Sequence, residues 1–161
     1  LPLAATVTTE AVFESFLGPF EQQKTFFHGH TYAGNPLACA AATASIRLMT
    51  ERKVIEGLPA KVAALSRALA PALGMAHVGD VRQRGLMVGI ELVRDRATKE
   101  EYPYALRAGH RVILEARRRG AILRPLGNVV VLMPPLAMTE AELERLAGIV
   151  LGSIEKVTAS L

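Results

Sequence analysis

The hydrophobic pattern of the chain changes after Gly74, and this change limits the folds that the chain can adopt. Beyond Gly74, short segments rich in β-branched residues alternate with segments of helical period, in the order strand, helix, strand, strand, helix. Before Gly74, only Leu3 to Thr9 has the composition of a strand. The second half therefore predicts a small layered α+β unit with helices on one face of its sheet, whereas the single strand of the first half has no sheet partner.

The first half is predicted to contain three helices and one long irregular segment. A short helix begins at Thr9-Glu10, residues 20–34 form an aromatic and histidine-bearing loop, and an Ala-rich helix begins at Asn35-Pro36. Asparagine is a preferred N-cap, and proline is tolerated in the first turn because its missing N–H would have no partner there. The third helix runs to about Leu73, with Gly74 as its C-cap.

In the second half, apolar alternation and turn residues define the elements. Thr139 and Glu142 have the spacing of a capping box, which predicts that the last helix begins there. The elements before it are a strand or bent strand pair over Val81 to Val93 with Gly85 as a bulge, a helix over Tyr104 to Arg119, a strand over Ala121 to Arg124, a turn at Pro125 to Gly127 and a strand over Asn128 to Leu132.

The composition argues against several classes of protein. Hydrophobic residues make up 50% of the chain and charged residues 21%, which is typical of globular rather than disordered proteins. The net charge of +4 suggests nucleic acid, but aromatic residues make up only 5%, and the one dense basic run, Arg117 to Arg119, ends a predicted helix where cations favour the helix dipole. No apolar run reaches the roughly 18 residues of a membrane-spanning helix. We therefore expect neither nucleic acid nor a membrane as a partner.

Cysteine and histidine positions indicate neither a disulfide nor a metal site. The single cysteine, Cys39, fits a reducing compartment, and its place in an Ala-rich helix predicts a buried, unreactive thiol. His28 and His30 lie two residues apart, but the nearest acid is Glu21, and two ligands do not make a zinc site. We therefore expect a cytoplasmic protein without a metal.

The segment from His28 to Pro36 has the features of an anion-binding loop. Its glycines let the backbone approach a ligand closely. The hydroxyl of Thr31, together with free N–H groups of a loop that enters a helix, can hold a phosphate or a carboxylate. An aromatic-rich loop packed into a core would have the same composition, so the residues alone leave both interpretations open.

Arg124 is a second candidate binding residue. It follows a short apolar segment and directly precedes the predicted turn. An arginine in this position can present its two-pronged guanidinium to a carboxylate at the rim of a pocket. A surface arginine on an exposed turn is the alternative, and the residues alone do not decide between the two.

Longer motifs resemble a known family. The stretch FFHGHTYAGNPLACAAA, at residues 26–42, resembles the class III (fold type I) pyridoxal-phosphate aminotransferases, and the opening LPLAATVTTEAVFESF fits the same family. The resemblance covers essentially the whole chain, as the C-terminal portion of a longer enzyme. It implies an α/β fold of type I, in which residues 1–57 are the end of the large cofactor-binding domain with its linking helix. Residues 58–161 would form the small C-terminal domain, itself α+β.

The resemblance also implies roles for individual residues. Thr31 would bond the phosphate of pyridoxal 5′-phosphate in the neighbouring subunit of a homodimer, so that the site is shared across the interface. His30, where many members have proline, would contribute to this contact through its backbone, and Gly29 would lie against the substrate. Arg124 would hold the substrate carboxylate. The Schiff-base lysine is expected upstream of Leu1, so the chain itself contains no catalytic residue and should be inactive alone.

Within the family, HGHTY together with LRPLGNVVVLMPPLAMTEAEL is most similar to the branch that converts 8-amino-7-oxononanoate to 7,8-diaminononanoate in biotin biosynthesis. The resemblance implies S-adenosylmethionine as the amino donor, with lysine left open. Two alternatives remain. One is a class III enzyme acting on ornithine, 4-aminobutyrate or other ω-amino groups, and the other is a non-catalytic fragment for dimerisation or ligand binding.

Overall fold

The computed structural model describes all residues from Leu1 to Leu161. The chain forms two compact units, unit 1 (Leu1–Arg52) and unit 2 (Lys53–Leu161). No helix combines the length and the hydrophobicity that crossing a membrane requires. Unit 1 contains α1 (Glu10–Glu14) and α2 (Pro36–Glu51), and unit 2 contains α3 (Leu58–Leu69), β1 (Val78–Arg84), β2 (Met87–Asp95), β3 (Glu100–Glu101), α4 (Ala108–Arg118), β4 (Arg124–Leu126), β5 (Val129–Leu132) and α5 (Glu140–Thr158).

In unit 1, α2 begins where its capping residues predict. The side chain of Asn35 accepts a hydrogen bond from the backbone N–H of Ala38 at 3.0 Å, and Pro36 occupies the first helical position. The cap satisfies one of the N–H groups that a helix leaves unpaired at its start. The loop of residues 20–34, which includes a single 3₁₀ turn at Phe20–Gln22, therefore leads directly into the N-terminus of α2.

The predicted strand at Leu3 to Thr9 is wrong. This segment has no regular secondary structure, and its side chains are exposed. A strand pairs its N–H and C=O groups with a neighbouring strand, and unit 1 contains no other strand to pair with. Thr9 still precedes α1 as predicted, since its carbonyl accepts the N–H groups of Val12 and Phe13 at 3.1 Å each.

The predicted burial of Cys39 is also wrong, because its thiol lies on an exposed part of α2. Ala38 is the only buried residue of this helix. Leu37 and Ile46 are 71% and 66% exposed. The Ala-rich composition predicted close packing against a neighbour, and most of the surface of α2 has none in this chain.

Unit 2 is an antiparallel sheet with helices on one face, as the pattern beyond Gly74 predicts. The strand order is β1-β2-β5-β4, and the short β3 pairs with the end of β2. The core contains side chains of all three helices together with alternate residues of β2, namely Val88, Ile90 and Leu92. Met87, which points to the other side of β2, is 51% exposed. The helices therefore cover one face, and the layered architecture is confirmed.

Gly85 forms a hairpin turn and does not form the predicted bulge. It is the first residue of the two-residue connection between β1 and β2, with a φ of 60°. Glycine is favoured there because a positive φ matches the right-handed twist of the flanking strands. The irregularity in the register lies instead between Val78 and Asp80. Apolar and polar residues alternate along a strand in the same way on both sides of a tight turn. This alternation therefore predicts a bent strand and a hairpin equally well.

The strand that contains Arg124 is shifted from its predicted position. Arg124 begins β4 instead of ending a strand, and Ala121 to Leu123 are not part of the sheet. Pro125, predicted to lie in a turn, is a strand residue that pairs with Val130. Because β4 is an edge strand, the missing N–H of proline costs no ladder hydrogen bond on its open side. The turn that joins β4 to β5 comes two residues later, at Gly127.

Two helices are shorter than predicted. The helix predicted to run to Leu73 ends at Leu69, because Pro71 has no N–H to continue the α-helical ladder, and the chain continues as a 3₁₀ turn. The helix predicted from Tyr104 begins at Ala108. Arg107, with a φ of 52°, interrupts the helical conformation between these two positions.

The last helix begins as predicted, at a complete capping box. The hydroxyl of Thr139 accepts the backbone N–H of Glu142 at 3.3 Å, and the carboxylate of Glu142 accepts the backbone N–H of Thr139 at 2.7 Å. These reciprocal bonds satisfy donors at the N-terminus of α5. The capping box therefore fixes the start of α5 at Thr139.

Candidate functional site

The predicted anion-binding loop forms a tight turn immediately before α2. The N–H of Ala33 donates to the carbonyl of His30 at 2.9 Å, and the N–H of Asn35 donates to the carbonyl of Tyr32 at 3.1 Å. Gly34 has a φ of 70°, a left-handed conformation that glycine adopts without steric cost. The chain thus turns sharply between Gly29 and the helix, and it presents the intervening residues at the surface of unit 1.

This loop retains unpaired hydrogen-bond donors. The N–H groups of Gly29, His30 and Thr31 donate to no backbone carbonyl, and the Thr31 hydroxyl makes no hydrogen bond within the chain. All three residues are exposed. A methyl group added at Gly29 would meet no atom within 4 Å, so the backbone there is open to a ligand. A set of N–H and O–H donors beside a helix N-terminus has the chemistry that a phosphate group requires.

The two histidines of the loop pack against aromatic rings. The ring of His28 lies 5.4 Å from that of Phe26 and 5.2 Å from that of His30, centroid to centroid, and the His28–His30 contact is edge-to-face. Phe26 in turn packs 5.1 Å from Phe16. The histidines therefore belong to a row of four rings, and the structure contains no group of three or more side chains placed to hold a metal ion.

Arg124 lies in unit 2, at the rim of the pocket between the sheet edge and α5. This pocket, the β4–α5 pocket, has a volume of about 610 Å³ and is lined by residues of β4, β5, the segment before β4 and the first half of α5. Its walls are mostly apolar, and they include Leu123, Val131, Met133, Met138, Leu146 and Ile149. Arg124 is among the residues that line this pocket, and an arginine among aliphatic side chains suits an aliphatic carboxylate.

The β4–α5 pocket contains two further charged residues, Glu142 and Arg145. The carboxylate of Glu142 accepts hydrogen bonds from the N–H and the hydroxyl of Thr139, at 2.7 and 2.9 Å. These bonds hold the pKa of Glu142 below its ordinary value, with the backbone bond as the larger cause. Arg145 was not predicted as a pocket residue. Its spacing from Glu142 and Ile149 is helical, however, and this spacing could have placed all three on one face of the last helix.

The hairpin that bears Arg124 is fixed at its turn. Gly109 of α4 lies so close to the carbonyl oxygen of Gly127 that a Cβ at residue 109 would overlap it. The side-chain amide of Asn128 donates to the carbonyl of Tyr102 at 2.8 Å. Both contacts hold the β4–β5 turn against the rest of unit 2, and they therefore set the position of Arg124.

Two arginines of the basic run that was predicted to end a helix, Arg118 and Arg119, form ion pairs within unit 2. The nearly buried carboxylate of Glu115 pairs with Arg119 at 3.0 Å, with Arg118 at 3.5 Å and with Lys156 of α5 at 3.7 Å. The hydrogen bond from Arg119 is the largest cause that keeps the pKa of Glu115 below its ordinary value. This cluster joins the end of α4 to the end of α5.

The chain is similar to known proteins over almost its whole length. A family model for class III aminotransferases matches residues 1–154. The chain is 55% identical over 158 residues to the adenosylmethionine-8-amino-7-oxononanoate aminotransferase of Nitratidesulfovibrio vulgaris, a match that covers 98% of this chain and 29% of that protein. It is 50% identical over 158 residues to the protein of the same name from Geobacter sulfurreducens, with 98% and 35% covered. The chain thus spans about a third of the length of these relatives.

Solved structures have the same fold. The crystal structure of adenosylmethionine-8-amino-7-oxononanoate aminotransferase from Methanocaldococcus jannaschii superposes with a TM-score of 0.87 at 44% identity, over 92% of this chain and 34% of that one. A PMP-bound aminotransferase from Vibrio fluvialis superposes with a TM-score of 0.80 at 29% identity, over 87% and 31%. The expected transaminase fold is therefore confirmed, and with the family match over residues 1–154, the chain belongs to the class III aminotransferases.

Proposed function

We propose that the chain is part of a pyridoxal-phosphate aminotransferase that converts 8-amino-7-oxononanoate to 7,8-diaminononanoate in biotin biosynthesis, with S-adenosylmethionine as the amino donor. The observation that carries this proposal is the identity of 55% and 50% to two proteins named for this reaction, each over 98% of the chain. The pocket beside Arg124 supports it, because an arginine at an apolar pocket suits the carboxylate that ends the aliphatic chain of the acceptor.

Three residues of unit 1 are proposed to hold the cofactor phosphate and the nearby substrate. Thr31 would donate its hydroxyl to the phosphate, and His30 would donate its backbone N–H. The free donors of the loop and its place before α2 support both roles. The open space beside Gly29 supports a close approach of the substrate to its backbone. The chemistry that pyridoxal 5′-phosphate supplies when bound is withdrawal of electrons from the substrate and carriage of the amino group.

Arg124 is proposed to hold the carboxylate of 8-amino-7-oxononanoate. Its guanidinium takes part in none of the ion pairs of the structure, and the aliphatic side chains around it would accommodate the methylene chain of the acceptor. A fork of two N–H groups on one carboxylate fixes the direction of the ligand as well as its affinity. In this proposal Arg124 therefore orients the acceptor and takes no part in proton transfer.

The active protein is proposed to be a homodimer, with Thr31 serving the neighbouring subunit's site. The exposed aromatic and aliphatic side chains of unit 1 support this proposal, since large apolar patches on a protein surface mark interaction sites. The domain division is proposed as residues 1–57 for the end of the large domain and residues 58–161 for the small domain.

The test is amino transfer by the full-length protein to three acceptors, with pyridoxal phosphate present. We expect amination of 8-amino-7-oxononanoate, with S-adenosylmethionine and lysine compared as donors. The keto acids or aldehydes derived from ornithine and 4-aminobutyrate should react far more slowly. Faster amination of either of these would contradict the proposal and favour an ω-aminotransferase, a possibility that the 35% identity to an omega-transaminase from Thermomicrobium roseum makes worth testing.

A further inference from the structure

A second arginine shares the β4–α5 pocket with Arg124, and nothing in the family resemblance assigns it a role. Arg145 lies in the second turn of α5 and is among the residues that line the pocket. Neither guanidinium takes part in any ion pair of the structure. The two arginines come from different elements, and the fold of unit 2 brings both to one cavity.

The only acid in the pocket, Glu142, forms no ion pair with either arginine. One oxygen of its carboxylate, Oε2, accepts both the N–H and the hydroxyl of Thr139, at 2.7 and 2.9 Å, in the capping box of α5. These bonds direct it to its own helix terminus, and no salt bridge joins it to either arginine. The pocket therefore contains two cations and one anion, and neither cation is paired.

The rest of the lining determines which anion fits. Leu123, Val131, Met133, Met138, Leu146 and Ile149 present aliphatic and thioether groups. A hydrophilic anion such as free phosphate would leave these walls in contact with water, whereas a carboxylate on an aliphatic chain pairs with the guanidinium groups and buries its methylenes. The matching ligand class is an aliphatic acid with a chain of several carbons.

We propose that Arg145 is a specificity-determining residue that shares with Arg124 the carboxylate of an aliphatic acid bound in this pocket. The identity of the natural acid, 8-amino-7-oxononanoate, rests on the proposed function. Two guanidinium groups on one carboxylate select acids over their neutral analogues more strongly than a single arginine does, because both would lose their partner with an uncharged ligand.

The experiment measures binding first, so that it does not depend on catalysis. Nonanoate and the uncharged 1-nonanol are titrated calorimetrically into the full-length, cofactor-loaded protein and into three variants, Arg145→Met, Arg145→Lys and Arg117→Met. Methionine keeps much of the apolar length of arginine without its charge. Arg117 lies at the end of α4, outside the pocket, and serves as the matched control. Thermal unfolding midpoints show that each variant is folded.

For Arg145→Met we expect nonanoate to bind about 10-fold or more weakly, which corresponds to the loss of one charge-assisted bond. Binding of 1-nonanol should be unchanged, Arg145→Lys should recover part of the affinity, and Arg117→Met should match the parent protein. Unchanged nonanoate affinity in Arg145→Met, or no nonanoate binding to the parent protein, would overturn the proposal. An equal loss for nonanoate and 1-nonanol would also overturn it, because it would indicate lost packing.

Measurements of KM and kcat then distinguish a failure of the role proposed for Arg145 from a failure of the proposed function. In Arg145→Met, KM for 8-amino-7-oxononanoate should rise by a similar factor while kcat changes little. If the parent protein binds nonanoate through Arg145 but does not aminate 8-amino-7-oxononanoate, the proposed function fails and the acid pocket stands. If it aminates that acceptor and Arg145→Met leaves both KM and nonanoate binding unchanged, the role of Arg145 is refuted and the proposed function stands.

Discussion

Gly29 and Gly109 are glycines for different physical reasons. At Gly29 a Cβ would meet no atom within 4 Å, so the fold of this chain does not require glycine there. At Gly109 a Cβ would overlap the carbonyl oxygen of Gly127 and lie 3.3 Å from the Cβ of Pro125. The close approach of α4 to the β4–β5 hairpin therefore depends on the missing side chain. Gly109 is in this way a structural requirement for the position of Arg124.

Replacing Gly109 by alanine should destabilise unit 2. We expect Gly109→Ala to lower the free energy of unfolding by about 1–3 kcal/mol, because the added methyl group pushes α4 away from the hairpin. The measurement is urea denaturation followed by circular dichroism. Gly148→Ala is the control, since Gly148 is an exposed glycine of α5 whose Cβ would meet no atom within 4 Å. Equal stability of both variants would contradict the packing argument.

Substitution of Thr31 tests the proposed phosphate contact. In the full-length dimer, Thr31→Ala should weaken pyridoxal phosphate binding by about 1–3 kcal/mol, the contribution of a hydrogen bond to a charged group. Thr31→Ser keeps the hydroxyl and should retain most of the affinity. Equilibrium dialysis of the cofactor gives both dissociation constants. Cofactor affinity unaffected by the alanine variant would refute the assignment of Thr31.

Between elements, Glu115 is the main electrostatic link of α4 with α5. Its carboxylate is 9% exposed and lies within 4 Å of basic groups on both helices. The hydrogen bond from Arg119, followed by the charge of Lys156, favours the ionised form and lowers the pKa of Glu115, while burial opposes this shift. A carboxylate with a lowered pKa in the folded state stabilises the fold only while it is ionised.

The pH dependence of stability follows from that shift. The contribution of Glu115 is fully present above the ordinary pKa of glutamate, and it is lost as the pH falls through the lowered pKa of the folded state. Glu115→Gln should therefore be less stable than the parent protein at pH 7, and the difference should shrink in acid. Unfolding free energies measured between pH 7 and about pH 3 check this. Glu144→Gln, at an exposed position of α5 that forms no ion pair, is the matched control.

Across the whole molecule, the two units differ in how completely they bury their apolar residues. The core cluster of the structure lies within unit 2. Unit 1 buries only Ala38, and it exposes large side chains such as Phe20 and Phe27, each 90% accessible. An exposed apolar surface of this kind favours association with another protein surface. The asymmetry therefore supports the proposed dimer through unit 1.

A charged residue introduced on the exposed apolar surface of unit 1 tests the proposed dimer. Leu37 of α2 is 71% exposed, and Leu37→Glu should shift the full-length protein from dimer towards monomer in sedimentation equilibrium, because a carboxylate buried at an apolar interface loses its hydration. Leu73→Glu, at a 52% exposed position of unit 2, should leave the dimer intact. A monomeric parent protein, or a dimer indifferent to Leu37→Glu, would contradict the proposal.

Features that depend on neighbours in the chain could be predicted from the residues alone. The starts of α2 at Asn35 and of α5 at Thr139 were predictable, because a capping side chain bonds an N–H only three residues away. The family was also predictable, because its motif is contiguous over residues 26–42. The resemblance predicts that Arg124 binds the substrate, and this role stays a prediction, whereas the strand of Arg124 was misplaced because a proline follows it.

Features that depend on residues far apart in the chain became visible only in the fold. Leu3 to Thr9 has the composition of a strand, but no neighbouring strand accepts its backbone hydrogen bonds. Gly85 makes a hairpin turn because β1 and β2 pair across it, which alternation alone does not reveal. Arg145 and Arg124 line one pocket although they belong to different elements, and residues that far apart in the chain meet only through the tertiary fold. Caps and motifs are local, but strand pairing and pockets arise from long-range contacts.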